Sequence, residues 1–222
     1  MQVTALLFDL DGTLVDTSED IVSNLNRSLA DEGLKPLPKE HIMSHVGYGA
    51  FFLVRNCLEE QLPTHQVSDS RVEKVLDRFR EYYKVHIIDD AEVYPGLETL
   101  LERYPVPRAV VSNKPEHMVH NVLNALGLMD VFEFAWGKDS TDQPKPQPGV
   151  IFQALQKLGI EADRRVWFIG DSPVDIRAAK QAGVTAAAVS HGFSACADLE
   201  AMEPDFLVSG FPELLEVMPS PE

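Results

Sequence analysis

Cysteine is scarce in this chain. Cys57 and Cys196 are the only two among 222 residues, they lie far apart, and they match no metal-ligand spacing. A disulfide framework and a thiolate zinc site are thereby excluded, and two reduced thiols are expected. Long apolar runs are missing too, so no segment reads as a membrane span. The apolar opening at 3–8 is cut off by Asp9 and has no basic stretch before it, which is not the pattern of a secretion signal. Positive charge is also in short supply: 19 Lys and Arg stand against 35 Asp and Glu, for a formal charge of −16. Such a surface repels phosphate backbones and anionic lipid, so no nucleic-acid and no membrane partner is expected. An anionic substrate would then need local cations to reverse the field. Repeats and low-complexity stretches are absent. The expectation is a soluble, cytoplasmic protein, monomer or homodimer.

Apolar residues make up 45% of the chain, enough for a substantial core, and the length suits one domain carrying a smaller insert. Short continuous apolar runs at 3–8, 108–111, 131–136, 166–169, 184–189 and 206–208 predict strands buried on both faces of a parallel sheet. Between them lie helical patterns at 116–126, 150–158 and 174–182, each stopped by a glycine, Gly127, Gly159 or Gly183. Strands alternating with single helices predict an α/β fold with a doubly wound, Rossmann-like parallel sheet. One stretch breaks that rhythm. Thr17 caps a predicted helix running to about residue 32, followed by short helices at 38–44 and 51–59. Val72, Val75, Leu76, Phe79, Tyr82, Tyr83, His86 and Ile87 then form an apolar stripe. Residues 17–90 thus read as an inserted helical-bundle domain, with 1–16 and 91–222 forming the α/β core.

Four sequence pieces carry chemistry. Asp9-Leu10-Asp11-Gly12-Thr13 sits at the carboxyl end of the first strand, where open α/β sheets bind ligands. Strand alternation points Asp9 and Asp11 to one side, and such a pair serves a metal, acid–base work, or simply a solvated turn. Ser112-Asn113-Lys114 ends the second core strand, with a hydroxyl, an amide and an ammonium able to donate to phosphate oxygens. Lys145-Pro146 precedes a helix. Gly170-Asp171-Ser172-Pro173-Val174-Asp175 ends another strand, and Asp171 and Asp175 can share the first helical turn, as caps or as ligands.

Taken together, these four pieces resemble the haloacid dehalogenase superfamily of phosphotransferases over residues 3 to about 217. The helical insert is similar to that superfamily's cap domain. Within it, His45-Val46-Gly47-Tyr48-Gly49, Tyr94-Pro95-Gly96, Ser190-His191-Gly192-Phe193 and Pro204-Asp205-Phe206 resemble most the phosphoglycolate phosphatases and their near relatives. The resemblance implies a Mg²⁺-dependent phosphatase acting on a small phosphorylated metabolite, 2-phosphoglycolate foremost, through an aspartyl phosphate. It makes Asp9 the nucleophile and Asp11 the acid that protonates the leaving alcohol and then takes a proton from water. Ser112 and Lys145 would hold phosphoryl oxygens. The Asp9 carboxylate, the Asp11 carbonyl and Asp171 would bind Mg²⁺, with Asp175 in support. Thr13, Gly47, Arg55, Ser112, Asn113 and Lys145 are the expected substrate contacts.

Charge makes independent sense of this set. Four ionised carboxylates carry about −4, and a phosphate monoester brings about −2 near neutral pH. Mg²⁺ and Lys145 would offset most of that, which answers the question posed by the overall charge. Uncatalysed monoester hydrolysis is so slow that enhancements up to ~10²¹ are needed. One acid–base residue supplies only about 10²–10⁴, so covalent catalysis, positioning and electrostatics must act together. A carboxylated substrate also needs a donor for its carboxylate. Arg55, beyond the Gly47-Tyr48-Gly49 loop, is the first candidate and His45 the second. Competing readings are a sugar-phosphate phosphatase, a phosphomutase of the same superfamily, or a non-catalytic binding protein on this fold.

Overall fold

The computed structural model describes residues 2–220. The chain divides into two compact units, one running to Asp16 and resuming at Val93, the other Thr17–Glu92.

The first unit is built on a six-stranded sheet. Its strands are β1 (Ala5–Phe8), β4 (Arg108–Val111), β5 (Phe134–Trp136), β6 (Val166–Gly170), β7 (Thr185–Val189) and β8 (Phe206–Val208), in the order β5-β4-β1-β6-β7-β8. Every neighbouring pair is parallel. β1 lies mid-sheet and all four of its residues are buried, as its continuous apolarity requires. Alternation sends Ala5 and Leu7 into a core shared with Ile151 and Leu155 of α7 (Gly149–Leu158) and Ile176 and Ala179 of α8 (Pro173–Ala182). From the opposite face Phe8 meets Phe132 and Phe211 edge-on, with ring centroids 6.0 and 6.5 Å away. Phe211 opens α10 (Phe211–Val217), which packs on α5 (Leu97–Arg103); α6 (Glu116–Ala125) and α9 (Cys196–Ala201) complete the helices of this unit. The α/β doubly wound fold expected from the sequence is what the structure contains.

The second unit holds α1 (Ser18–Asp31), α2 (Lys39–Met43), α3 (Ala50–Glu59) and α4 (Asp69–Val85). Leu25 and Leu29 of α1 and Val72, Val75, Leu76, Phe79 and Tyr83 of α4 supply its buried apolar face.

Several expectations shift. The run 131–136 is a strand only over Phe134–Trp136, because a 3₁₀ turn occupies Met129–Val131 and leaves Val131 exposed. Thr17 stands at the N-terminus of α1, but its hydroxyl does not accept the capping hydrogen bond. The stripe of α4 ends earlier than its pattern: the helix stops at Val85, so His86 and Ile87 lie beyond it, and the half-buried Tyr82 donates its hydroxyl to Asp31. Two strands escaped the sequence reading, β2 (Val15–Asp16) and β3 (Glu92–Val93), which form a separate two-stranded sheet. At two residues each, they are too short for any periodicity. No helix among the described residues is long and apolar enough to cross a membrane.

Candidate active site

β1 delivers Asp9 directly from the sheet, with its backbone N–H donating to Ile169 of β6 at 3.0 Å. The chain then turns sharply, the Gly12 N–H donating to the Val15 carbonyl at 2.9 Å. Gly12 has φ +83°, and a Cβ there would run into the Asp171 carboxylate. Only glycine meets both demands without strain.

Lys145 reaches the same place from the segment before α7. Its ammonium stands 2.8 Å from Asp9 Oδ1 and 2.7 Å from Asp175 Oδ1, and its side chain is fully buried. The Asn113 amide fixes this approach by donating to the Lys145 carbonyl at 2.9 Å. On the other flank, the Lys114 ammonium donates to both oxygens of Asp11, at 2.8 and 3.0 Å. The Ser112 hydroxyl accepts the Lys114 N–H at 3.2 Å, so one short segment after β4 shapes both lysine positions.

Asp171 and Asp175 follow β6. Asp175 acts as a cap, as a helix-start acid should: one oxygen accepts from the Ser172 N–H at 3.1 Å and from its hydroxyl at 2.5 Å. Its other oxygen meets Lys145. Asp171 is oriented by the Thr13 hydroxyl, 3.0 Å from Oδ1, and by the Phe193 N–H, 2.8 Å from Oδ2. Thr13, expected against substrate, is fully buried and directs its hydroxyl to this acid.

Burial dominates the electrostatics. It pushes the Asp9 carboxyl up to about 6, against the pull of Lys145 and with the repulsion of Asp175. It lifts Asp171 well above the usual carboxylate range, with Asp175 and Asp9 adding to the rise. For Lys145 burial opposes the charge, but the attraction of Asp175 and Asp9 outweighs it and holds the group above the ordinary lysine value. Asp9, Asp171 and Asp175 are all buried, and each offers an oxygen within 4.8 Å of the others. Buried carboxylates this close are unfavourable together without a cation, and an all-oxygen donor set suits a hard divalent ion such as Mg²⁺.

The first unit therefore brings together Asp9, Asp11, Thr13, Ser112, Asn113, Lys145, Asp171 and Asp175. Gly47, Arg55 and His45 lie in the helical unit. There Gly47 and Gly49 have φ of 125° and 96°, flanking an exposed Tyr48. Arg55 pairs with Asp69, lies 3.6 Å from Glu59 and sits over the Phe51 ring at 5.3 Å. His45 Nε2 meets Glu60 at 2.7 Å, and His41 Nδ1 meets the other oxygen of Glu60 at 2.8 Å.

Two supports went unread in the sequence. Lys114, whose ammonium the sequence offers to phosphate oxygens, is the partner of Asp11. His191 donates from Nε2 to the Thr13 carbonyl at 3.1 Å while stacking on Tyr94 at 3.9 Å. Burial holds its imidazole below the usual histidine range, favouring the neutral ring. The Ser190-His191-Gly192-Phe193 likeness marks this residue in the sequence, but not its contact with Thr13.

Residues 6–189 match the family described as haloacid dehalogenase-like hydrolase. A phosphoglycolate phosphatase of Neisseria meningitidis is 35% identical over 221 residues, covering 96% of this chain and 93% of that protein. One from Haemophilus influenzae is 33% identical, covering 95% and 96%. A crystal structure from Haemophilus somnus, described as a predicted phosphoglycolate phosphatase, superposes with a TM-score of 0.90 at 26% identity, covering 98% of each chain. With the sheet, the acids and the lysines all in place, the chain belongs to the haloacid dehalogenase-like hydrolase family and is a phosphoric monoester hydrolase within it.

Proposed function

We propose that this enzyme hydrolyses a small phosphate monoester, 2-phosphoglycolate foremost, through an aspartyl phosphate on Asp9. The observation that carries the reading is the pairing of each acid of the first motif with its own lysine. Asp9 is held by Lys145 and Asp11 by Lys114, beside the oxygen cluster of Asp171 and Asp175. The substrate assignment draws on the named relatives.

In this account an Asp9 carboxylate oxygen attacks phosphorus and the bond from phosphorus to the alcohol oxygen breaks. Asp11 gives its proton to the departing oxygen. A water then loses a proton to Asp11, its oxygen attacks phosphorus, and the bond to Asp9 breaks to release phosphate. Lys145 keeps Asp9 aimed and, with Ser112, faces phosphoryl oxygens. The carboxylates of Asp9 and Asp171 with the Asp11 carbonyl would hold Mg²⁺, with Asp175 in support through Lys145. When bound, the ion supplies charge neutralisation and polarises a phosphoryl oxygen. A cytoplasmic setting, with the protein as monomer or homodimer, accompanies this reading.

The test is phosphate release from 2-phosphoglycolate, hexose phosphates, nucleotides and pyrophosphate, with Mg²⁺ and with EDTA. Phosphoglycolate should give the highest kcat/KM, and activity should vanish in EDTA, return with Mg²⁺, and return poorly with Ca²⁺, whose looser shell misplaces the reactants. Full turnover in excess chelator would remove the metal. Conversion of a hexose phosphate to its isomer without free phosphate would make the enzyme a mutase.

A further inference from the structure

The contact between Lys114 and Asp11 plays no part in the reaction as written, and one step of that reaction changes it. Both Asp11 oxygens accept hydrogen bonds from the same ammonium. Once Asp11 carries the proton it gives to the leaving oxygen, that ammonium faces a neutral acid instead of a carboxylate. A second anion beside the ammonium is then favourable, because a largely buried charge is costly without a counter-charge. Lys114 is placed to find one. Its side chain is 8% exposed and pairs with one acid, whereas Lys145 is shared between Asp9 and Asp175. Its backbone is pinned on both sides, with the N–H on Ser112 and the carbonyl accepting from Lys138 at 3.0 Å, so only the side chain is left to move.

Substrate chemistry supplies the matching anion. In an ester of glycolate, a single methylene separates the oxygen that Asp11 protonates from the carboxylate. A cation in hydrogen-bond contact with Asp11 is therefore within reach of that carboxylate. We propose that Lys114 is the specificity-determining residue of this enzyme: it exchanges the Asp11 carboxylate for an anionic group one carbon from the leaving oxygen, and so selects short acidic phosphate esters. Arg55, the other candidate, already has Asp69 and Glu59 about its guanidinium. This inference rests on the phosphatase reading and assigns the carboxylate end of its substrate.

The experiment compares kcat/KM for phosphoglycolate with that for its neutral isostere, carbamoylmethyl phosphate, in wild type, Lys114→Met, Lys114→Gln and Lys114→Arg. The ratio of the two removes any general damage to Asp11 or to the phosphate end. Wild type should prefer the acid. Met and Gln should each cut that preference roughly ten- to a hundredfold, the worth of a charge-assisted hydrogen bond, and Arg should keep most of it. Near-UV circular dichroism verifies folding, and Gln, which can still hydrogen-bond Asp11, stands in if Met fails to fold. An unchanged ratio in Met or Gln, with both substrates slowed equally, would overturn the inference and leave Lys114 as a support for Asp11. A wild type that hydrolyses both esters equally would also overturn it while the phosphatase reading stands. A wild type that hydrolyses no phosphate ester at all would fail the phosphatase reading itself.

Discussion

Replacing Lys145 by Met should be among the most damaging single changes in the protein, and its damage should depend on pH in a defined direction. The methionine has nearly the shape of the lysine stem but removes a wholly buried ammonium lying 2.8 Å from Asp9 and 2.7 Å from Asp175. Two buried carboxylates lose their counter-ion at once. Breaking a buried ion pair by deleting one partner costs about 3–5 kcal/mol, and no open water is at hand to reduce it. Asp9 already titrates at about 6 with Lys145 pulling its value down, against 3.8 for an ordinary aspartate. Without Lys145 the folded-state value rises further, while the unfolded value does not change. An acid whose folded pKa is raised loses stability as pH climbs from the unfolded value to the folded one. Below about 6, Asp9 is protonated in both folded proteins and the two slopes match. Above it, the variant alone continues to lose, at up to ~1.4 kcal/mol per pH unit until its own Asp9 ionises. Urea unfolding in EDTA at pH 5.5, 7 and 8 measures this directly. A deficit under ~1 kcal/mol at pH 8, or one that does not grow with pH, would refute the electrostatic account of the site.

Three further outcomes follow. Glu60 bridges His41 and His45, which raises the His41 pKa and lowers that of Glu60 through their hydrogen bond. The pairing therefore stabilises the fold fully between the ordinary glutamate value of 4.5 and the ordinary histidine value of 6.5, and is lost as pH falls through the lowered Glu60 value or rises through the raised His41 value. An NMR titration should place His41 above 6.5, with Glu60→Gln returning it to the ordinary range. Arg55→Ala removes a half-exposed ion pair, so it should cost no more than about 1 kcal/mol in stability and alter the preference for phosphoglycolate far less than Lys114→Met does. Cys57 is buried and pushed up to about 12, whereas Cys196 is exposed. A thiol reagent should thus modify Cys196 in the native protein and reach Cys57 only after unfolding.

The sheet was legible because most of its strands are buried on both faces, so the run 108–111 coincides with β4 residue for residue, and 206–208 does so with the half-buried edge strand β8. Glycine stops marked the ends of α7 and α8 for the same local reason: Gly159 and Gly183 adopt left-handed φ of 71° and 74°. Legibility failed where apolarity and burial part company, as at the exposed Val131, and where a helix ends without glycine or proline, as α4 does at Val85. At the site, short motifs disclosed the acids and Lys145 because each ends a strand or opens a helix. What they could not disclose was the pairing across the fold. Lys114 and Asp11 are 103 residues apart, and Thr13 and Asp171 158 apart, so no local pattern records either contact. The motif alone therefore points Thr13 at substrate, whereas its hydroxyl supports Asp171.

The central claim is that Asp9 takes the phosphoryl group covalently. Rapid acid quench of a single turnover of phosphoglycolate with Mg²⁺, followed by peptide mass spectrometry, tests it most directly. A phosphoryl adduct on the peptide carrying Asp9 should form before free phosphate and decay as phosphate appears. Asp9→Asn, which keeps the shape and loses the attacking charge, should yield no adduct and only background turnover with its fold intact. A full turnover with no adduct at any quench time, together with an Asp9→Asn variant keeping roughly a tenth or more of the wild-type rate, would contradict it.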